Sequence, residues 1–152
     1  MIMSSQKMDK TIEILLVEDS AGDIRLTREA FKDGKVRNKL HVVRDGVEAM
    51  VFLHKEGKYS DVPRPDIILL DLNLPKKNGR EVLTEIKKDP NLKRIPVVIL
   101  TMSNSDKDIL ETYNNYVNCY ITKPVDFTKF ITIVQTIEDF WLSIVKLPNG
   151  TE

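Results

Sequence analysis

Ile12-Glu13-Ile14-Leu15-Leu16-Val17-Glu18-Asp19 and Ile67-Ile68-Leu69-Leu70-Asp71 decide the fold of this chain. Each is a short, mostly apolar run that stops at a carboxylate. Such runs are too short for helices and lack strict alternation, which suits strands buried on both faces of a sheet. Val97 to Leu100, closed by Thr101, and Tyr120 to Thr122, closed by Lys123, follow the same pattern, and Leu40 to Val43 supplies one more strand.

Between the runs the apolar spacing turns helical. A first helix is expected from Ser20 or Ala21 to about Lys32, with Ile24, Leu26, Ala30 and Phe31 buried. Val47, Met50, Val51 and Leu53 mark a helix over 46–54, and a polar loop with two prolines fills 55–65. Val82, Leu83 and Ile86 mark a helix that ends before Pro90. Ile109, Leu110, Tyr113, Tyr116 and Val117 mark another over 106–117, and a last helix begins near Asp126. Five alternations of strand and helix predict an α/β domain: a doubly wound, five-stranded parallel sheet with right-handed crossovers. Residues 1–10 read as a polar leader, 11–146 as one domain including a long C-terminal helix, and 147–152 as a tail.

Composition narrows the function. Lys plus Arg and Asp plus Glu each number 23, so the formal net charge of zero removes any general attraction to nucleic acid or an acidic membrane. The lone Cys119 has no internal partner, and no apolar run approaches the roughly 20 residues that span a bilayer. The expected setting is the cytoplasm.

In an open parallel sheet, ligands sit in the crevice outside the carboxyl ends of the strands. Glu18, Asp19, Asp71, Thr101 and Lys123 therefore converge. Carboxylates about 4 Å apart repel by about 4 kcal/mol per pair at an effective dielectric near 20, unless one is protonated or a cation intervenes. All-oxygen ligands favour a hard divalent ion such as magnesium, held by Glu18 and Asp19 with the backbone carbonyl of Asn73 as a further ligand. Asp71, on the most apolar strand, suits a nucleophile that carries a phosphoryl group as an acyl phosphate. Lys123 supplies a mobile positive charge, and Thr101 a hydroxyl for a phosphoryl oxygen.

These residues resemble the receiver domain of bacterial two-component response regulators. The resemblance rests on the acidic pair in Leu15-Leu16-Val17-Glu18-Asp19, on Asp71 in Leu70-Asp71-Leu72-Asn73-Leu74-Pro75 with Gly79 after it, on Thr101 and on Lys123-Pro124. It implies a flavodoxin-like sheet of order 2-1-3-4-5, and phosphoryl transfer to Asp71 from the phosphohistidine of a sensor histidine kinase, with magnesium required. It further implies that Lys123 contacts the phosphoryl group, that Thr101 moves toward it, that Tyr120 changes rotamer as the switch aromatic, and that the bond before Pro124 is cis. The stretches Arg64-Pro65-Asp66, Leu72-Asn73-Leu74-Pro75-Lys76-Lys77-Asn78-Gly79-Arg80-Glu81-Val82-Leu83, Lys93-Arg94-Ile95-Pro96-Val97-Val98 and Val117-Asn118-Cys119-Tyr120 are similar to the small single-domain regulators of cyanobacterial phytochromes. That similarity implies a phytochrome as the partner kinase. Glu18 stands where many receivers carry Asp, and Met102 where a small residue is common.

Each residue also has a plainer reading. Asp71 could be a solvated or capping carboxylate, Glu18 and Asp19 could start a helix, Lys123 could lie on the surface, and His41 and His54 lack metal-ligand spacing. Competing functions are an aspartyl-nucleophile phosphohydrolase, a nucleotide or flavin module, and a phosphorylation-independent interaction module. The first wants an acid two residues after the nucleophile, where this chain has Asn73; the second wants a glycine-rich loop after the first strand, where this chain has Glu18, Asp19 and Asp23. A switch of this kind passes its signal through a surface. The last helix carries two apolar stripes, one through Phe127, Phe130, Ile131, Val134, Trp141 and Val145 and the other through Ile133, Ile137, Phe140 and Ile144, and one sheet cannot bury both. A homodimer through this helix, the fifth strand and the preceding helix, with Tyr113 and Tyr116, is therefore expected.

Overall fold

The computed structural model describes residues 11–32, 37–101 and 119–136. Five parallel strands, β1 (Ile12–Val17), β2 (Asn38–Val43), β3 (Ile67–Asp71), β4 (Val97–Thr101) and β5 (Cys119–Thr122), form one sheet in the order β2-β1-β3-β4-β5. The expected order is thus met, and the chain reverses its direction of strand addition between β1 and β3, which places a crevice at their carboxyl ends. Four helices are described: α1 (Ala21–Lys32), α2 (Gly46–Leu53), α3 (Gly79–Lys88) and α4 (Phe127–Thr136).

Successive residues of β1 and β3 point to opposite faces, and both faces are covered, so Ile14 to Val17 and Ile67 to Leu70 are fully buried. Leu15, Val17, Ile68 and Leu70 pack under α2 and α3 with Phe52, Val82, Leu83 and Ile86. Ile14, Leu16, Ile67 and Leu69 pack under α1 and α4, where the Phe31 ring lies 4.8 Å from that of Phe130. Each such aliphatic side chain stabilises the fold by about 2 kcal/mol relative to an exposed one.

Helix starts follow their caps. Ser20 Oγ accepts from the Asp23 N–H at the start of α1, Asp45 accepts from Glu48 N–H at α2, and Asn78 and Glu81 form a reciprocal capping box at α3. Two expectations fail on the helices. Leu26 is 51% exposed, and the buried position of that turn is Thr27, whose hydroxyl is satisfied by the Asp23 carbonyl. Val47 is 46% exposed, because α2 turns Ala49, Met50, Phe52 and Leu53 inward instead. The loop over 55–65 is not wholly solvated either: it holds a turn of 3₁₀ helix (Gly57–Tyr59), and Tyr59 and Val62 pack against the core.

His41 pairs with Glu13 at 2.7 Å and His54 with Asp89 at 3.1 Å, as structural histidines. No helix among the described residues is long and apolar enough to cross a membrane. The leader 1–10, the helix expected over 106–117, the extension of the last helix past 136 and the tail lie outside the described residues.

Candidate phosphoacceptor site

The end of β3 is held from below by glycine. A Cβ on Gly79 would stand 2.4 Å from the Asp71 carbonyl oxygen and 2.6 Å from Leu72 Cα, and one on Gly46 would stand 1.9 Å from the Lys77 carbonyl oxygen. Only residues without a side chain let α2 and α3 approach the loop this closely. Gly79 N–H donates to the Leu72 carbonyl at 2.9 Å, closing the loop on itself. Lys76, within that loop, takes a left-handed backbone at φ 67°.

On this frame Asp71 is 4% exposed. Its Oδ1 accepts from the Asn73 N–H at 3.0 Å and its Oδ2 from Lys123 Nζ at 2.9 Å, which fixes the carboxylate plane. Glu18, one residue past β1, is 1% exposed. Its Oε2 accepts from Ser20 N–H at 3.1 Å, while Oε1 lies 2.8 Å from Lys123 Nζ as an ion pair without hydrogen-bond alignment, leaving that buried oxygen with no donor aimed at it. Asp19 beside it is exposed, and its carbonyl accepts from Arg44 Nη2 at 3.1 Å. Lys123, preceding the cis Pro124, also reaches Asp23 Oδ2 at 3.1 Å.

Burial lifts the Glu18 carboxyl to about 7; the Lys123 contact pulls it down, and the neighbouring Asp71 charge pushes it back up. For Lys123 burial alone would favour the neutral amine, but contacts with Glu18 and Asp71 outweigh it and hold the ammonium above its ordinary range. One fixed cation thus faces several acids. Glu18, Asp19 and Asp71 each offer an oxygen within 4.8 Å of the others. The all-oxygen donor set, the excess negative charge and the unsatisfied Glu18 Oε1 together fit a hard divalent cation.

Of the residues singled out in the sequence, Glu18, Asp19, Asp71 and Lys123 are brought together. Asn73 follows two residues after Asp71 with its side chain in solvent. Thr101 ends β4, and Tyr120 pairs in register with Ile99; the switch roles expected of their side chains fall outside what is described. Asp23, in the first turn of the helix that follows β1, faces the same crevice, and that position is the signal the sequence offers for it.

Comparisons with known proteins agree with this geometry. The response regulator receiver domain model matches residues 14–135. The chain is 53% identical over 135 residues to response regulator Rcp1 of Synechocystis sp., a match covering 89% of this chain and 92% of that protein. It is 40% identical over 137 residues to the probable methanogenesis regulatory protein FilR2 of Methanothrix harundinacea, covering 90% and 87%. Among solved structures, the phosphorylated cyanobacterial phytochrome response regulator RcpA superposes with a TM-score of 0.71 at 54% identity, over 89% of this chain and 96% of that one. The Mn2+-bound form of Rcp1 gives 0.69 at 53% identity, over 86% and 94%. With most of its length matched by the family model and by these relatives, the chain belongs to the response regulator receiver-domain family.

Proposed function

We propose that this protein is a phosphoacceptor switch whose Asp71 takes a phosphoryl group from the phosphohistidine of a sensor histidine kinase, with magnesium at Glu18, Asp19, Asp71 and the Asn73 carbonyl. The observation that carries the reading is the buried Asp71 carboxylate held by Lys123 at 2.9 Å inside a cluster of acids. An Asp71 oxygen attacks phosphorus, an O–P bond forms as the N–P bond breaks, and the imidazole nitrogen leaves. Asn73 N–H orients the carboxylate for that attack, and Lys123 then faces the new phosphoryl oxygens. A bound divalent cation supplies further positive charge to the transferring group.

In this reading Thr101 and Tyr120 are the switch residues, and the protein acts in the cytoplasm, catalysing only its own phosphoryl uptake and loss. Support for a phytochrome as the kinase comes from RcpA, a cyanobacterial phytochrome response regulator at 54% identity. The output is a homodimer through the last helix, the fifth strand and the preceding helix. Phe130 is buried, and Phe127 and Ile131 pack on the protein's own core, so these members of the first apolar stripe serve the domain itself, and the reading assigns the second stripe of the sequence to a partner copy. A phosphohydrolase is disfavoured because Asn73 offers no acid or base two residues after Asp71.

Intact mass after incubation with acetyl phosphate and magnesium tests the reading. Wild type is expected to gain one phosphoryl group and Asp71→Asn none; equal labelling of both refutes it.

A further inference from the structure

The Lys123 ammonium has three carboxylate neighbours, Glu18 at 2.8 Å, Asp71 at 2.9 Å and Asp23 at 3.1 Å, and it donates hydrogen bonds to the last two. Two of these acids belong to the cluster that fits a divalent cation, and the third does not. A cation and the ammonium therefore compete for Glu18 and Asp71, while Asp23 remains available to Lys123 alone. Asp23 is also fixed for this purpose. Its N–H is held by Ser20 Oγ at 3.2 Å, its carbonyl receives the Thr27 hydroxyl at 2.9 Å, and its side chain stays about one-third exposed at the crevice wall.

We infer that Asp23 is a positioning residue for Lys123: it keeps the ammonium in the crevice when a divalent cation takes over Glu18 and Asp71. The inference rests on the reading of Asp71 and its acids given above. Without Asp23, a cation that displaced Lys123 would leave the ammonium facing a like charge with no acid of its own, so cation binding would weaken. With Asp23 present, Lys123 gives up two partners and keeps the third. It then stands ready beside Asp71 when phosphoryl oxygens arrive.

A double-mutant cycle read by Mn2+ affinity tests this, for example by electron paramagnetic resonance of free Mn2+. Asp23→Asn is expected to weaken Mn2+ binding by about three- to fivefold, toward the upper end for a partly exposed charged contact. Asp23→Glu is expected to restore most of the loss. In a Lys123→Met background the same Asp23→Asn change is expected to weaken binding by less than about twofold, because only the distant attraction between Asp23 and the ion is left. An equal loss in both backgrounds, or none in either, overturns the inference. Asp71→Asn serves as the control: unchanged Mn2+ affinity in that variant overturns the reading of the site itself, whereas its loss together with equal Asp23 effects overturns only the role of Asp23.

Discussion

Two lysines at opposite edges of the sheet are held in opposite ways. Lys123, just past β5 at the carboxyl edge, lies within 3.1 Å of three carboxylates. Lys87, in the last turn of α3 at the amino edge, donates only to the carbonyls of Lys93 at 3.2 Å and Ile95 at 3.4 Å, and it makes no ion pair among the described residues. Burial lowers the affinity of Lys87 for its proton, and nothing opposes it. The same burial acts on Lys123 and is outweighed by acids. Burial alone thus moves a lysine toward neutrality, whereas a crevice lined with carboxylates keeps it charged. A charge held in that way is available for chemistry, and its removal leaves buried anions exposed to one another.

The largest expected effect follows at once. Lys123→Met should destabilise the protein by about 4 kcal/mol at pH 8 without divalent cations, since it leaves buried carboxylates with no counter-charge. Urea unfolding at pH 8 and pH 5.5 measures it, and the loss should shrink at the lower pH as Glu18 takes up a proton. A loss independent of pH would mean that the acids are not what Lys123 holds.

Next in size is the pH dependence of the wild type. Glu18 has its ordinary affinity near 4.5 when unfolded and about 7 when folded. Between those values the folded protein keeps a proton that the unfolded chain has released, so stability falls as pH rises through the window, by roughly 3 kcal/mol in all. Glu18→Gln should flatten the profile in chelator-containing buffer. Identical slopes for the two proteins would refute the buried, proton-binding Glu18.

The smallest effect belongs to the amino edge. Lys87→Met should change stability by less than about 1 kcal/mol, because the apolar stem is kept and only two carbonyl contacts are lost. A loss as large as that of Lys123→Met would erase the contrast between the edges.

Much of this arrangement was legible from the residues themselves. β1, β3, β4 and β5 were readable because strands covered on both faces must be apolar throughout, and the polar residue closing each run marks the carboxyl edge. Glu18, Asp71 and Lys123 could be placed for that reason. What escaped was anything set by helix rotation. Thr27 replaces Leu26 inside because a hydroxyl bonded to the carbonyl four residues back loses its need for water. Asp23 meets Lys123 across 100 residues of sequence, a contact that depends on how α1 is rolled against the sheet. Likewise Gly46 reads as an ordinary helix start until the Lys77 backbone is seen against it.

The place of Lys123 in the sheet bears on how the protein breathes. β1 and β3, which carry the acids, are interior strands, but β5 is the outermost strand of the order and is only four residues long. Edge elements open at lower free energy than the strands they flank. Release of β5 alone would withdraw the ammonium while Glu18 and Asp71 stayed in place. The amide hydrogens of β5 should therefore exchange faster than those of β1 and β3, and any ligand that draws Lys123 inward would slow that exchange, giving the outer strand a protection that its own few backbone bonds do not supply.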